Sequence, residues 1–182
     1  MVGPAWRHLP GFEQRQTCAI CNVKDSMEHI LTEYNALARQ QIWDLVRRIW
    51  PHARQLWPNI NLGLILGIGC LSLPGNQPEN PNENRENTHP ILKKKASLRL
   101  LQIILSEAAH LIWVLWYKRV IQEKAPGWHG INKRWNKVIN KWLTIDRITA
   151  HQSKWDKNFT RLAKNMWEKL LKYNRILSDN WF

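Results

Sequence analysis

The stretch Ser97-Leu98-Arg99-Leu100-Leu101-Gln102-Ile103-Ile104-Leu105-Ser106-Glu107-Ala108-Ala109-His110-Leu111-Ile112-Trp113-Val114-Leu115-Trp116 decides the fold class. Leu98, Leu101, Leu105, Ala108, Ile112 and Leu115 recur at the three- and four-residue spacing of one helical face. Leu100, Ile104, Leu111 and Val114 widen that face until only Gln102, Ser106 and His110 remain as a thin polar strip. A helix that is apolar on most sides belongs inside a core. The pattern predicts a helix over Leu92 to Glu123, ended by Ala125-Pro126-Gly127. Glu107 and His110 interrupt the apolar run, and the other greasy stretch, Ile60 to Leu73, is too short to span a bilayer. Both are read as protein interior, and no membrane partner is expected.

Beyond that helix the periodicity continues. A second helix is expected over Ile131 to Asp146, with Ile131, Trp135, Val138, Ile139 and Trp142 inward and Lys133, Arg134, Lys137 and Lys141 outward. A third is expected over about Trp155 to Tyr173, with Phe159, Leu162, Met166 and Leu170 inward and Lys154, Lys157, Arg161 and Lys164 outward. Towards the N-terminus, Pro74 to Pro90 is rich in Asn, Pro and Glu and reads as a flexible linker. Residues 51–73 fit either a buried strand or a loosely structured apolar run, because Gly63, Gly67 and Gly69 weaken a helix there. Ahead of them, Asp25 or Ser26 is expected to cap a helix that carries His29 and continues through Ile42, Leu45, Val46 and Ile49 until Pro51 stops it. Residues 1–34 read as a small loop-rich module. The reading divides the chain into 1–50, an apolar segment and linker over 51–90, and a helical bundle over 91–182.

Charge divides the chain at the same place. The net charge of +13 comes from residues 91–182 alone, and residues 1–90 balance to zero. A one-sided positive excess points to a polyanion, most often nucleic acid, bound through its phosphates. The contacts expected to carry that binding are Lys133, Arg134, Lys137, Lys141, Lys157, Arg161 and Lys164. The partner is RNA or DNA, without sequence preference. Among 12 tryptophans, Trp116, Trp135, Trp142, Trp155 and Trp167 sit beside basic residues. They carry three readings: platforms for base stacking; core anchors at helical spacing, which fits Trp135 and Trp142; or arginine codons turned to tryptophan by single transitions in transposon DNA, the same change that would turn a cysteine at position 34 into tyrosine.

Cys18-Ala19-Ile20-Cys21, with His29 eight residues on, has the ligand types and spacing of a zinc site. Two thiolates three residues apart share one ion across a tight turn, and a following histidine adds an imidazole. The fourth ligand is absent: Tyr34 stands where it should fall. His8, Glu33, Cys70 or water are the candidate replacements. Three cysteines, two of them in a C-x2-C pair, argue for reduced thiols and a nuclear or cytoplasmic location, and Met1 to Pro10 has no apolar signal segment. Catalysis is not expected. No two aspartates are adjacent, as a two-metal polymerase centre would need, and no phosphate-binding glycine loop is present.

The run Trp6-Arg7-His8-Leu9-Pro10-Gly11, then Cys18-Ala19-Ile20-Cys21, Asp25-Ser26-Met27-Glu28-His29-Ile30-Leu31 and Ile42-Trp43 resembles the zinc-binding C-terminal region of fungal non-LTR (LINE-like) retrotransposon reverse transcriptases. The resemblance covers about residues 6–50. It implies that Cys18, Cys21 and His29 match metal-ligand positions and that Tyr34 replaces the last cysteine. Together these readings describe a mainly α, non-enzymatic, degenerate reverse-transcriptase fragment: a knuckle-like N-terminal module, a linker and a basic helical bundle that binds nucleic acid. The alternative is a helical protein–protein interaction module, self-associating through its apolar helix, or a transposon remnant without function.

Overall fold

A single long helix organises the protein. The computed structural model describes residues 3–50, 57–72, 88–124, 127–152 and 157–172. Helix α1 spans Gly3–Trp6, α2 Leu37–Ile49, α3 Leu62–Leu66, α4 Thr88–Gln122, α5 Trp128–Gln152 and α6 Lys157–Lys172. Short 3-10 turns at Glu13–Gln16 and Ile68–Cys70 and one π-type turn at His29–Glu33 complete the ordered elements. The fold is mainly α, and among the described residues the only β pairing is an isolated Thr17–Lys24 bridge.

The apolar run that defines α4 buries Leu100, Leu101, Ile104, Leu105, Ala108, Leu111, Ile112 and Leu115 and leaves Ser106 and His110 exposed. By length and composition α4 resembles a membrane span, but 56% of its most apolar window is covered by the rest of the fold. Helices α2, α5 and α6 pack against it, as do α3, the Ile68–Cys70 turn and the His29–Glu33 turn. Residues from both sides of the charge boundary therefore enter one core, from Ile30, Ile42 and Val46 to Ile131, Trp135 and Met166.

Helices α5 and α6 follow the expected faces. Ile131, Trp135, Met166 and Trp167 are buried, while Lys133, Lys137, Lys141, Lys157, Arg161 and Lys164 are exposed and Arg134 is half-buried. The predicted outward Lys154 and the aromatic Trp155 lie outside the described residues, as do positions 74–87 of the expected linker. Residues 88–90, read as the end of that linker, form the first turn of α4.

Three local readings change. Within the apolar stretch, Leu62–Leu66 is a short helix rather than a strand, capped by the Asn61 side chain, which accepts the Leu64 N–H at 2.8 Å; residues 57–60 carry no regular structure, and 51–56 and 73 lie outside the described residues. The helix expected to run from His29 to Ile49 is broken at Tyr34–Ala36. The Tyr34 N–H reaches back five residues to the His29 carbonyl at 2.6 Å, which widens the turn and throws the chain outward before α2 restarts. At the end of α4, Glu123 adopts a left-handed conformation, φ 55°, and the Lys124 N–H closes on the Lys118 carbonyl at 3.0 Å. This is a helix stop of the kind usually built on glycine, and it acts before Gly127 is reached.

A buried polar node joins the three long helices. Asp146 of α5 is almost fully buried and accepts two 2.7 Å bonds from the Arg99 guanidinium of α4. A third 2.7 Å bond comes from the Trp167 Nε1–H of α6. Nearby, the Trp142 Nε1–H donates to Glu107 at 2.7 Å, so Glu107 ties α4 to α5 instead of pairing with His110.

Candidate metal centre

The N-terminal module is built as a hairpin around its thiols. The Cys18 N–H bonds the Val23 carbonyl and the Asn22 N–H bonds the Cys18 carbonyl, each at 2.8 Å. Asn22 takes φ 53°, a left-handed conformation that asparagine tolerates and a tight reversal requires. Backbone N–H groups then point at sulfur: Cys21 N–H to Cys18 Sγ and Asn35 N–H to Cys21 Sγ, both 3.4 Å. The bond to Cys18 Sγ pulls toward the thiolate form that a metal needs, against the larger opposing push of burial. The hairpin is held against α1 by the Gly3 N–H on the Asp25 carbonyl at 2.7 Å. A side chain at Gly3 would collide with that carbonyl, so glycine is required by the close approach.

His29 enters from the π-type turn. Ser26 Oγ accepts its N–H at 3.0 Å, which is the cap the sequence suggested at Asp25 or Ser26. The imidazole is buried; Nδ1 lies 3.6 Å from Glu33 Oε2, and Nε2 has no hydrogen-bond partner. A carboxylate beside one ring nitrogen orients the other for ligation. Cys18, Cys21 and His29 bring their donor atoms within 4.8 Å of one another, a set that could hold a metal ion. Tetrahedral zinc with two sulfurs and one nitrogen needs donors roughly 3.5–3.8 Å apart, so a contraction of at most about 1 Å would seat it.

The turn is stitched to its surroundings. The Trp43 Nε1–H donates to the Leu31 carbonyl at 3.0 Å, and Arg39 donates to the Thr32 carbonyl at 2.7 Å and to the Tyr34 carbonyl. Asp25 lies in the same buried neighbourhood and accepts the Trp116 Nε1–H at 3.2 Å. Burial pushes the Asp25 carboxyl up, against the opposing pull of the Trp116 bond, His29 and Arg119.

Tyr34, which stands where the sequence reading expected the fourth ligand, packs against His29 as an aromatic wall. Its ring meets His29 edge-on at 5.7 Å between centroids, the Arg119 guanidinium lies 4.8 Å over it, and its hydroxyl is buried without a partner. Burial, against the pull of Arg119, pushes the phenol up to about 12. At neutral pH the hydroxyl keeps its proton and is a poor donor to a metal. The suggested replacements do not join the three-residue set: His8 is exposed, Cys70 is exposed on the Ile68–Cys70 turn, and Glu33 is exposed and faces Nδ1.

The seven basic contacts read from the sequence lie elsewhere, on α5 and α6. Of the tryptophans read as stacking platforms, Trp116, Trp135 and Trp167 are buried and Trp142 is half-buried with its N–H bonded to Glu107, so the packing reading applies to them. The sequence reading missed Asp25, Arg39, Trp43 and Arg119 as supports of the Cys–His set. The Asp25-Ser26 cap signal and the Ile42-Trp43 pair within the resemblance were the signals that pointed that way. No protein family, curated protein or solved structure matches this chain.

Burial pushes the Cys18 thiol up, partly offset by backbone hydrogen bonds from Cys21 and Ile20. The metal-free Cys18 is thus a thiol near neutral pH, and an ion must displace its proton. Metal affinity should therefore fall as pH falls, by at least roughly tenfold per pH unit while one proton is released. Competition titration with a chromophoric chelator across neutral pH measures this slope. A flat profile would exclude Cys18 as a thiolate ligand, and Cys18→Ser serves as the control that removes the donor.

Proposed function

We propose that the protein is a non-catalytic nucleic-acid-binding module, derived from a retroelement reverse transcriptase, that binds RNA or DNA by phosphate contact without sequence preference. The observation that carries this reading is the exposed cationic face of α5 and α6. Lys133, Lys137 and Lys141 recur every four residues along one side of α5, and Lys157, Arg161 and Lys164 follow at spacings of four and three on α6, all exposed. Exposed, periodic cations on rigid helices match phosphates laid along a backbone. The Cys18–Cys21–His29 set is proposed to hold zinc, which would cross-link the N-terminal hairpin to the turn behind it rather than do chemistry.

The test is the salt dependence of binding. Replacing Lys133, Lys137 and Lys141 by glutamine should weaken binding to generic duplex DNA and flatten the log–log salt slope by about 0.9 for each phosphate no longer neutralised. Anisotropy titrations of wild type and the triple variant at several salt concentrations provide the slopes. Equal slopes would sink the reading.

A further inference from the structure

A second feature lies behind the metal-carrying turn, in the half of the chain with no net charge. A groove of about 390 Å³ runs between α2 and the segment Trp57–Ile60. That volume falls within the usual range of small-ligand sites, about 300–1,000 Å³. Its walls include Thr32, Arg39, Trp43, Arg47, Trp57 and Asn59, and no acidic residue among the described residues lines it. Two guanidiniums and two indoles thus share one open concavity. Trp43 is buried and its N–H is committed to the Leu31 carbonyl, so it forms the floor. Trp57 is half-buried at the rim, with the exposed Arg47 guanidinium 5.8 Å from its ring centroid.

The wall is pre-set. Arg39 is held beside the opening by its bonds to the Thr32 and Tyr34 carbonyls, although burial pulls its guanidinium below the usual arginine range. An aromatic ring at the rim of a cationic groove supplies the two things an unstacked nucleotide needs, a surface for the base and countercharge for its phosphate. A base within a duplex has no free face to offer.

We propose that this groove binds an unpaired nucleotide of single-stranded nucleic acid, with its base against the Trp57 indole and its phosphate toward Arg47 and Arg39. The inference rests on the nucleic-acid reading above and adds a preference for single strands over duplex. The lysine faces of α5 and α6 supply uniform attraction, and the groove supplies the discrimination between strand states.

Fluorescence anisotropy of a labelled oligonucleotide, single-stranded and as its duplex, tests this with the full chain. Trp57→Ala should weaken single-strand binding roughly tenfold and duplex binding by less than about twofold, while Trp57→Phe keeps most of the affinity. Arg47→Gln alters an exposed side chain and covers the case in which Trp57→Ala loosens the fold; it should weaken single-strand binding and reduce its salt slope by about 0.7. Equal losses on the two strand states, or no loss from Trp57→Ala and Arg47→Gln while the α5 lysine variant still loses affinity, would overturn the groove and leave the broader reading standing. Failure of the wild-type chain to bind either oligonucleotide would overturn both.

Discussion

Arg99→Met should be among the most damaging single substitutions in this protein, lowering stability by about 3–5 kcal/mol. The reason is what it leaves behind. Asp146 is 1% exposed and accepts both of its closest charged bonds from Arg99. Without the guanidinium, a carboxylate would stay in the core with only the Trp167 N–H for compensation. For a chain of this size the loss corresponds to a drop in melting temperature of roughly 6–20 °C. The double variant Arg99→Met, Asp146→Asn removes the stranded charge and keeps an acceptor for Trp167, so it should recover much of the loss. Thermal or denaturant unfolding of the two variants gives the comparison. A double variant as unstable as the single one would show that the buried charge is not the cause.

Tyr34→Cys should have the opposite kind of effect, a gain in metal affinity of roughly 100-fold. Structural zinc sites gain about 10–16 kcal/mol from four ligands, so one further thiolate supplies roughly 3 kcal/mol. Position 34 follows the turn that carries His29, and its side chain already lies against the imidazole. The metal-free variant should be less stable than wild type, since it loses a buried ring and the Arg119 guanidinium stacked over it. With metal bound the order should reverse. Isothermal titration with zinc, paired with unfolding curves with and without the ion, reads both effects. Unchanged affinity would mean that residue 34 does not face the coordination sphere.

Much of the architecture was legible because it depends on periodic burial. Helices α4, α5 and α6 could be placed from apolar spacing alone, and their faces followed from the lysines between. The break at Tyr34–Ala36 was not legible, because it is made by a five-residue backbone closure that leaves no side-chain pattern. The Arg99–Asp146 pair was invisible for a different reason. Its partners stand 47 residues apart, and neither local charge nor spacing indicates which of 19 later basic residues meets which acid. The Cys18–Cys21–His29 set was legible because ligand chemistry fixes both residue type and spacing. Its supports at Asp25, Arg39 and Arg119 come from elements that meet it only in three dimensions. The groove beside Trp57 was missed because attention to net charge passes over a region whose basic and acidic residues cancel in sequence.

The tryptophans have a consequence for how uniquely this chain is assembled. Leucine and isoleucine on adjoining helices pack acceptably in more than one register, since apolar contact has no direction. An indole N–H has one. Trp43 reaches the Leu31 carbonyl, Trp116 reaches Asp25, Trp142 reaches Glu107 and Trp167 reaches Asp146, each across a boundary between separate elements. Sliding any of these boundaries by one helical turn would strand an N–H and its acceptor in a dry interior. The four bonds act as locating pins, one at each of four boundaries in an otherwise greasy bundle, and they select a single alignment from the several that its aliphatic surfaces would accept.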